Sequence, residues 1–259
     1  MTNILRHRLE QGDTLFGGWL FTGSANNAEI LGRAGLDFLL IDQEHGYGEP
    51  SDVVACIRAA ATAGTPCIVR SPYANSAWLK VMLDAGVQSL MFPMVDSAED
   101  ARSLVRSCWY PPHGTRGFAS GSVRASGYGT NANYPATADA NLLIIIQIES
   151  VEAIAAIPSI GQVEGVDALF IGINDLAASM GFPGRTDHPE VLAKVAEAEA
   201  AILATGKVMA TLPSGGRPSE ALFDKGHRLI VGTGDIGLLR DGSREKVQQF
   251  RKHMSSVSA

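Results

Sequence analysis

Cysteine is scarce in this sequence of 259 residues, and its three copies form no recognisable motif. Cys56, Cys67 and Cys108 are odd in number and show no CxxC spacing. A disulfide framework, typical of small secreted domains, is therefore not expected. The cysteine usage instead predicts a protein of a reducing compartment.

Long apolar runs and blocks of positive charge are also missing. No run approaches the roughly 20 residues of a membrane-spanning helix, and residues 1–8 contain no apolar segment of signal-peptide type. The chain has 21 basic and 27 acidic residues, which give a net charge of −6. This balance disfavours nucleic acid and anionic membranes as partners. We expect a cytoplasmic protein that binds neither.

Nucleotide-binding signatures are absent as well. No GxGxxG follows the first predicted strand, and no Walker A pattern occurs. Both are glycine-rich turns that hold phosphates. We therefore expect no nucleotide cofactor.

What the sequence does contain is a series of eight short apolar segments that alternate with helical patterns. The predicted strands are Leu15–Phe21, the stretch that starts at Phe38, Pro66–Arg70, Ser89–Phe92, Leu142–Glu149, Ala168–Ile171, Lys207–Ala210 and Leu229–Gly232. Several helices end at a glycine just before the next strand. Eight such units in about 250 residues are typical of a (β/α)₈ barrel of the α/β class. An open doubly wound sheet is the competing fold, and no linker divides the chain, so one domain covers residues 1–259.

One segment breaks the alternation. Residues 109–141 are rich in glycine, serine, tyrosine, asparagine and proline and show no clear period. Long irregular segments in compact domains are often functional loops. We expect this one to close over the site of its own chain or of a neighbour and to influence substrate choice.

Polar residues collect where the predicted strands end, which is where barrels of this type carry their active sites. The second strand is followed by Asp42, Glu44 and His45, and the third ends at Arg70. By position, Asp42 is a candidate partner for His45. Arginine suits a carboxylate or a developing enolate. The alternative for Arg70 is a salt bridge to Asp42 or Glu44, and the alternative for His45 is an isolated loop histidine without a role.

A second group of polar residues predicts a metal site. Gln147 and Glu149 are two residues apart on the fifth strand and point the same way, and Asp175 follows Gly172 after the sixth strand. Two carboxylates from neighbouring strands, completed by water and substrate oxygens, suit Mg²⁺, Mn²⁺ or Co²⁺. The alternative for Glu149 is an acid that favours the start of the next helix. Trp19, Phe21 and Leu212 could line an apolar wall, although single apolar residues at a rim usually only pack.

Lysine is missing from these strand ends. Five of the six lysines fall in predicted helices, and Lys207 lies at the opposite end of its strand. An aldolase that works through a Schiff base needs a lysine near the substrate. An enolate formed here would have to be stabilised by a metal ion and by arginine instead.

Together, six segments resemble the class II pyruvate aldolases of the HpcH/HpaI type over nearly the whole chain. They are Gly-Trp-Leu near the start, Leu-Ile-Asp-Gln-Glu-His-Gly, Ile-Val-Arg, Tyr-Pro-Pro-His-Gly-Thr-Arg-Gly at 110–117, Ile-Gln-Ile-Glu and Glu-Gly-Val-Asp-Ala-Leu-Phe-Ile-Gly-Ile-Asn-Asp-Leu. The resemblance implies a barrel of the phosphoenolpyruvate/pyruvate type. It also implies a hexamer, built as a trimer of dimers that exchange their last helix. The implied reaction is the metal-dependent cleavage of a 4-hydroxy-2-oxo acid to pyruvate and an aldehyde.

The resemblance also assigns roles to residues. It implies that Glu149 and Asp175 hold the metal, and that Gln147, Gly172 and the backbone around Asn174 and Asp175 bind pyruvate. The remaining implied positions are Arg70 for enolate stabilisation and His45 for proton transfer.

Two positions depart from the pattern of the family or from the predicted topology. The family pairs its histidine with the acid that matches Asp84, but Asp84 precedes a helix-ending glycine and should lie at the far rim. Either that helix is irregular or a neighbouring subunit supplies Asp84, and the partner of His45 stays open between Asp42 and Asp84. Ile173-Asn174 stands where many relatives have Pro-Ala, so the amide of Asn174 could change the pocket.

Two other functions remain as alternatives. A citryl-CoA or malyl-CoA type lyase would need a basic groove for the cofactor, and none is evident in the sequence. A barrel that only binds an oxo acid would have no use for the full set of acids, Arg70 and His45.

Overall fold

Eight parallel strands close into a barrel in the computed structural model, which describes residues 2–73 and 76–257. Each strand pairs with the next in the chain, and the eighth returns to the first. The strands are β1 (Leu15–Leu20), β2 (Phe38–Asp42), β3 (Cys67–Arg70), β4 (Ser89–Phe92), β5 (Leu143–Ile148), β6 (Ala168–Ile171), β7 (Val208–Thr211) and β8 (Leu229–Gly234). The closed barrel confirms the predicted architecture and excludes the open sheet.

Helices connect the strands and cover the outside of the barrel. They are α1 (Ile4–Glu10), α2 (Ala25–Arg33), α3 (Pro50–Thr62), α4 (Ser76–Asp84), α5 (Ala98–Cys108), α6 (Tyr134–Thr137), α7 (Val151–Ile160), α8 (Ile173–Ser179), α9 (Pro189–Thr205), α10 (Ser219–Asp224) and α11 (Asp235–Val257). The short helix α8 was not predicted, and it begins directly at the end of β6. None of the helices in the described part of the chain is both long and apolar enough to cross a membrane.

The core has two layers because strand side chains alternate between the two faces of the sheet. On β5, Leu143 and Ile145 point into the barrel, while Ile144 and Ile146 pack against the helices outside. Helix α1 closes the bottom of the barrel with Leu5. This alternation decides which polar side chains reach the interior at the upper end of each strand.

The irregular segment at residues 109–141 lies at the bottom of the barrel. It joins the end of α5 to the start of β5, and both lie at the amino-terminal rim because a helix runs back from the strand exits. Arg116 in this segment is buried and donates to Asp84 at the end of α4, over 2.9 Å. The expectation that the segment closes over the site of its own chain is therefore wrong.

Candidate active site

The polar residues at the strand exits continue the rows of side chains that fill the barrel interior. Leu143 and Ile145 precede Gln147 and Glu149 on the same face of β5. In the same way Phe38 and Leu40 precede Asp42 on β2, Ile68 precedes Arg70, Phe170 precedes Gly172, and Ala210 precedes Leu212. Three of these rows thus end in a charged side chain, and the ends of all five rows lie at the same rim of the barrel.

These residues surround a cavity of about 290 Å³ at the carboxyl-terminal end of the barrel. Ten residues line it: Trp19, Phe21, His45, Arg70, Gln147, Phe170, Gly172, Asn174, Asp175 and Leu212. Nine of the predicted site residues are among them. Two of the others, Asp42 and Glu149, contact residues that line it, and Asp84 lies elsewhere.

Arg70 is held by two carboxylates beneath the cavity. Its Nε and Nη2 donate to the two oxygens of Asp42 over 2.8 and 2.6 Å, and its Nη1 lies 3.0 Å from Glu44 Oε2. The paired registers of β2 and β3 place Asp42 beside Arg70. The guanidinium also stacks over Trp19, 4.5 Å from the ring centre. The salt bridges to Asp42 and Glu44, which were the alternative to a catalytic role for Arg70, are therefore present. They hold the guanidinium of Arg70 at the cavity wall.

Glu149 is a buried carboxylate with both oxygens hydrogen-bonded. The backbone N–H of Met94 donates to Oε1 over 2.6 Å, and Gln147 Nε2 donates to Oε2. Burial raises the pKa of Glu149 to about 7, and the negative charge of Asp175 adds to the effect. The two hydrogen bonds oppose the shift without cancelling it. A nearby positive charge would therefore stabilise the ionised form of Glu149 and lower its pKa.

The exit of β6 brings a second carboxylate to the same place. Gly172 ends the strand row, and Asp175 lies in the first turn of α8. A Cβ added at Gly172 would lie 2.8 Å from Glu149 Oε2 and 3.0 Å from Gln147 Nε2. The absent side chain therefore leaves room beside Glu149. Asn174 is exposed at the start of the same helix.

The oxygen ligands available at the site match those of a hard divalent cation in part. No group of three or more His, Cys, Asp or Glu side chains in residues 2–73 and 76–257 forms a cluster able to hold a metal. Asp175 lines the cavity, Glu149 accepts from Gln147 in its wall, and Gln147 Oε1 is buried without a hydrogen-bond partner in the described residues. Mg²⁺ is commonly held by one or two carboxylates with water and substrate oxygens for the rest. The residues present suit that mode of binding.

Neither of the two carboxylates considered for His45 contacts it within the chain. Asp42 is engaged by Arg70, and Asp84 accepts from Arg116 at the end of α4. His45 instead lies 3.8 Å from Glu44 Oε2, with 62% of its side chain exposed. Burial raises the pKa of Glu44, while the charges of Arg70 and His45 lower it.

Three residues at the site were not predicted as part of it. Phe170 lines the cavity and meets Trp19 edge-on, with 6.4 Å between ring centres. Glu44 was noted beside His45 but was given no role of its own. Met94 contacts Glu149 only through its backbone, so its residue type carried no signal. Phe170 could have been found, because it shares the inward-facing row with Gly172.

Comparison with known proteins gives consistent matches over the whole barrel. A sequence profile of the family described as HpcH/HpaI aldolase/citrate lyase matches residues 15–227. The chain is 38% identical over 250 residues to a hydroxypyruvate/pyruvate aldolase of Roseobacter denitrificans, covering 96% of this chain and 98% of that protein. It is 34% identical over 257 residues to a 4-hydroxy-2-oxo-heptane-1,7-dioate aldolase of Escherichia coli, covering 99% and 98%.

A solved structure is similar as well. It is described as an HpcH/HpaI aldolase/citrate lyase family protein from Burkholderia cenocepacia, and its TM-score to this chain is 0.91 at 36% sequence identity. The match covers 96% of this chain and all of the other.

Proposed function

Since the chain belongs to the HpcH/HpaI aldolase/citrate lyase family, we propose that it is a divalent-metal-dependent pyruvate aldolase. The reaction is the reversible cleavage of a 4-hydroxy-2-oxo acid to pyruvate and an aldehyde. The observation that carries the proposal is that Asp175 and Arg70 line one small cavity at the strand exits, while Glu149 is hydrogen-bonded to Gln147 in the wall of that cavity. Aldolase names among relatives that match almost the full chain support it.

The bond changes define what the site must do. The 4-hydroxyl loses its proton, the C3–C4 bond breaks, and its electron pair becomes the enolate of pyruvate. In the product, that enolate takes a proton at C3. The site must therefore accept the hydroxyl proton, stabilise one negative charge, and return one proton to C3.

Glu149 and Asp175 would hold the cation in this proposal. When bound, a divalent cation supplies a Lewis acid that polarises the ketone and stabilises negative charge on its oxygen. Gln147, Gly172 and the backbone around Asn174 and Asp175 would hold the oxo-acid end of the substrate. The room beside Gly172 supports this placement because the backbone there is uncovered by a side chain.

Arg70 would stabilise the enolate from the cavity wall. Its guanidinium is kept in place by Asp42 and Glu44 and by the face of Trp19, so little reorganisation is needed when charge develops. In this arrangement Asp42 is a positioning residue for Arg70.

His45 is our candidate for proton transfer, directly or through a water molecule beside it. It lines the mouth of the cavity, and its exposure leaves the imidazole free to exchange protons with solvent. Trp19 and Leu212 would face the aldehyde part of the substrate. A cavity of about 290 Å³ is suited to a small oxo acid rather than to a bulky one.

The proposal is tested by following pyruvate release from a series of 4-hydroxy-2-oxo acids. We expect cleavage that stops in EDTA and returns when Mg²⁺ or Mn²⁺ is added. Acyl-CoA substrates should not be cleaved. Cleavage of citryl-CoA or malyl-CoA in preference to the oxo acids would replace this proposal with the lyase alternative.

We further propose that α11 mediates assembly with a second copy, as the resemblance implies. Five apolar residues follow one another at spacings of three, eight, three and four along one side of the helix: Ile236, Leu239, Val247, Phe250 and Met254. All five are solvent-exposed in the single chain. An apolar stripe of this length is typical of a protein–protein interface.

Assembly would also give Asp84 a place in the reaction. Helix α4 has nine residues and runs about 13 Å from the strand exits toward the opposite rim. Asp84 at its end therefore lies away from His45 of its own chain. We propose that it reaches His45 of a second copy, in a hexamer built from dimers.

Changing the apolar stripe should dissociate the assembly. We expect Phe250→Glu to shift the mass measured by light scattering to smaller species, because a charge would be buried in the interface. Gln248→Glu is the matched control, since it adds the same charge on another side of the helix. An unchanged mass for Phe250→Glu would mean that α11 is not part of the interface.

A further inference from the structure

Met94 adopts a backbone conformation that its residue type disfavours. Its φ is 55°, in the left-handed region, and only Tyr128 among the other non-glycine residues in the described part of the chain has a positive φ. Residues with a Cβ seldom adopt this conformation. The side chain of Met94 is 67% exposed, so packing of that side chain does not explain the conformation. Such outliers occur most often where the backbone has a functional task.

The task visible in the structure is a hydrogen bond to Glu149. Phe92, Pro93 and Val95 are buried, and the chain bends at Met94, which alone of these four residues is exposed. Pro93 has no N–H, which makes the N–H of Met94 the first donor available after β4. It donates to Glu149 Oε1 over 2.6 Å, while Gln147 holds the other oxygen.

We propose that Met94 is a positioning residue whose left-handed backbone aims its N–H at Glu149 and thereby orients that carboxylate toward the cation. This inference rests on the proposed function, because it assumes that Glu149 holds a metal. Hydrogen bonds to a ligating carboxylate fix its orientation and tune its affinity for the metal. In this role the residue type at position 94 acts only through the backbone conformation that it permits.

Substitutions at position 94 separate backbone geometry from side-chain chemistry. Met94→Ile introduces a β-branched residue that disfavours positive φ, whereas Met94→Asn introduces one that tolerates it. Tyr128→Ile is the matched control, because Tyr128 has φ 59° and an exposed side chain but lies in the irregular segment at the bottom of the barrel. All variants are compared by the affinity of the metal-free protein for Mn²⁺ and by thermal unfolding in EDTA.

We expect Met94→Ile to weaken Mn²⁺ binding by about 10- to 100-fold, as loss of an outer-shell partner does. Met94→Asn and Tyr128→Ile should bind Mn²⁺ as the unchanged protein does. Replacing Met94 by its α-hydroxy analogue converts the amide to an ester, removes the donor alone, and should weaken binding to the same extent. This second variant keeps the test decisive if Met94→Ile does not fold.

Two results have different meanings. If the isoleucine and ester variants bind Mn²⁺ normally while the unchanged protein also binds it, the left-handed conformation of Met94 has only a structural role and the inference is overturned. If the unchanged protein neither binds Mn²⁺ nor loses activity in EDTA, the proposed metal dependence itself fails.

Discussion

Replacing Glu149 with glutamine should abolish metal-dependent carbon–carbon cleavage while leaving the barrel folded. The change removes one of the two charged ligands that we propose for the metal, which should weaken Mn²⁺ binding on the order of a thousandfold, beyond the roughly 10- to 100-fold cost of an outer-shell partner. Asp175→Asn should act in the same direction. Glu152→Gln is the matched control, because Glu152 is an exposed acid in the first turn of α7, three residues away.

The structure explains why Glu149→Gln should still fold. The new amide oxygen can accept from Met94, and its NH₂ can donate to Gln147 Oε1, which is buried without a hydrogen-bond partner among the described residues. The amide of Gln147 must rotate for this bond to form. The rotation pairs Gln147 Oε1 and leaves Gln147 Nε2 in the position that Oε1 held, so the number of unpaired buried groups does not rise and no additional penalty is expected.

Without metal, the stability of the unchanged protein and that of Glu149→Gln should depend differently on pH. Burial raises the pKa of Glu149 from 4.5 to about 7, so the folded state binds the proton more tightly than the unfolded state does. Glu149 therefore stabilises the folded state at low pH. This contribution to the free energy of unfolding is lost as the pH rises from about 4.5 to about 7. Glu149→Gln has no such loss. In EDTA, the melting temperature of the variant should therefore rise relative to that of the unchanged protein as the pH increases over this range. Equal pH profiles would show that Glu149 is not desolvated.

Arg70→Lys should lower kcat by about 10²- to 10³-fold, the usual cost of losing one oriented donor for developing negative charge. Lysine keeps a positive charge for Asp42 but cannot form the two parallel bonds or stack on Trp19 in the same way. Mn²⁺ affinity should change far less than kcat, because Arg70 contacts Asp42 and Glu44 rather than Glu149.

Alanine at position 70 is a poorer test. It would leave Asp42 buried and unpaired, and breaking such a pair costs about 3 to 5 kcal/mol of stability. Arg8→Lys is the matched control for the lysine variant, since Arg8 also pairs with two carboxylates, Asp13 and Asp37, near the opposite end of the barrel. Normal turnover in Arg70→Lys with intact pairing to Asp42 would remove the guanidinium from the mechanism.

Much of the fold was predictable because it depends on local patterns. The eight apolar segments and the glycines that end several helices gave the strand order, and all eight strands occur within two residues of the predicted cores. Helix α8 was missed because it is short and starts directly at the end of β6. The location of residues 109–141 was missed because the expectation treated the segment as a loop at the strand exits. The direction of α5 places it at the bottom.

The candidate site was predictable where side chains follow the strand period, and less so where contacts are long-range. Arg70, Gln147, Gly172 and Leu212 line the cavity because each continues an inward-facing row. The family recognised from the motifs is confirmed by matches over almost the full chain. The hydrogen bond from Met94 could not be predicted, because a backbone donor is independent of residue type. The surroundings of His45 were predictable only in part. The salt bridge between Arg70 and Asp42 was one of the alternatives, whereas the contact between Asp84 and Arg116 joins two distant segments and left no local pattern.

Exchange of the methyl protons of pyruvate for deuterium tests the central claim most directly, because it reports enolate formation without knowledge of the aldehyde. With Mn²⁺ or Mg²⁺ in D₂O, the protein should exchange the C3 protons of pyruvate, and the exchange should stop in EDTA. Glu149→Gln and Arg70→Lys should slow it strongly, while Glu152→Gln and Arg8→Lys should not. Undiminished exchange after complete removal of the metal, or no exchange in the metal-loaded protein, would contradict the account.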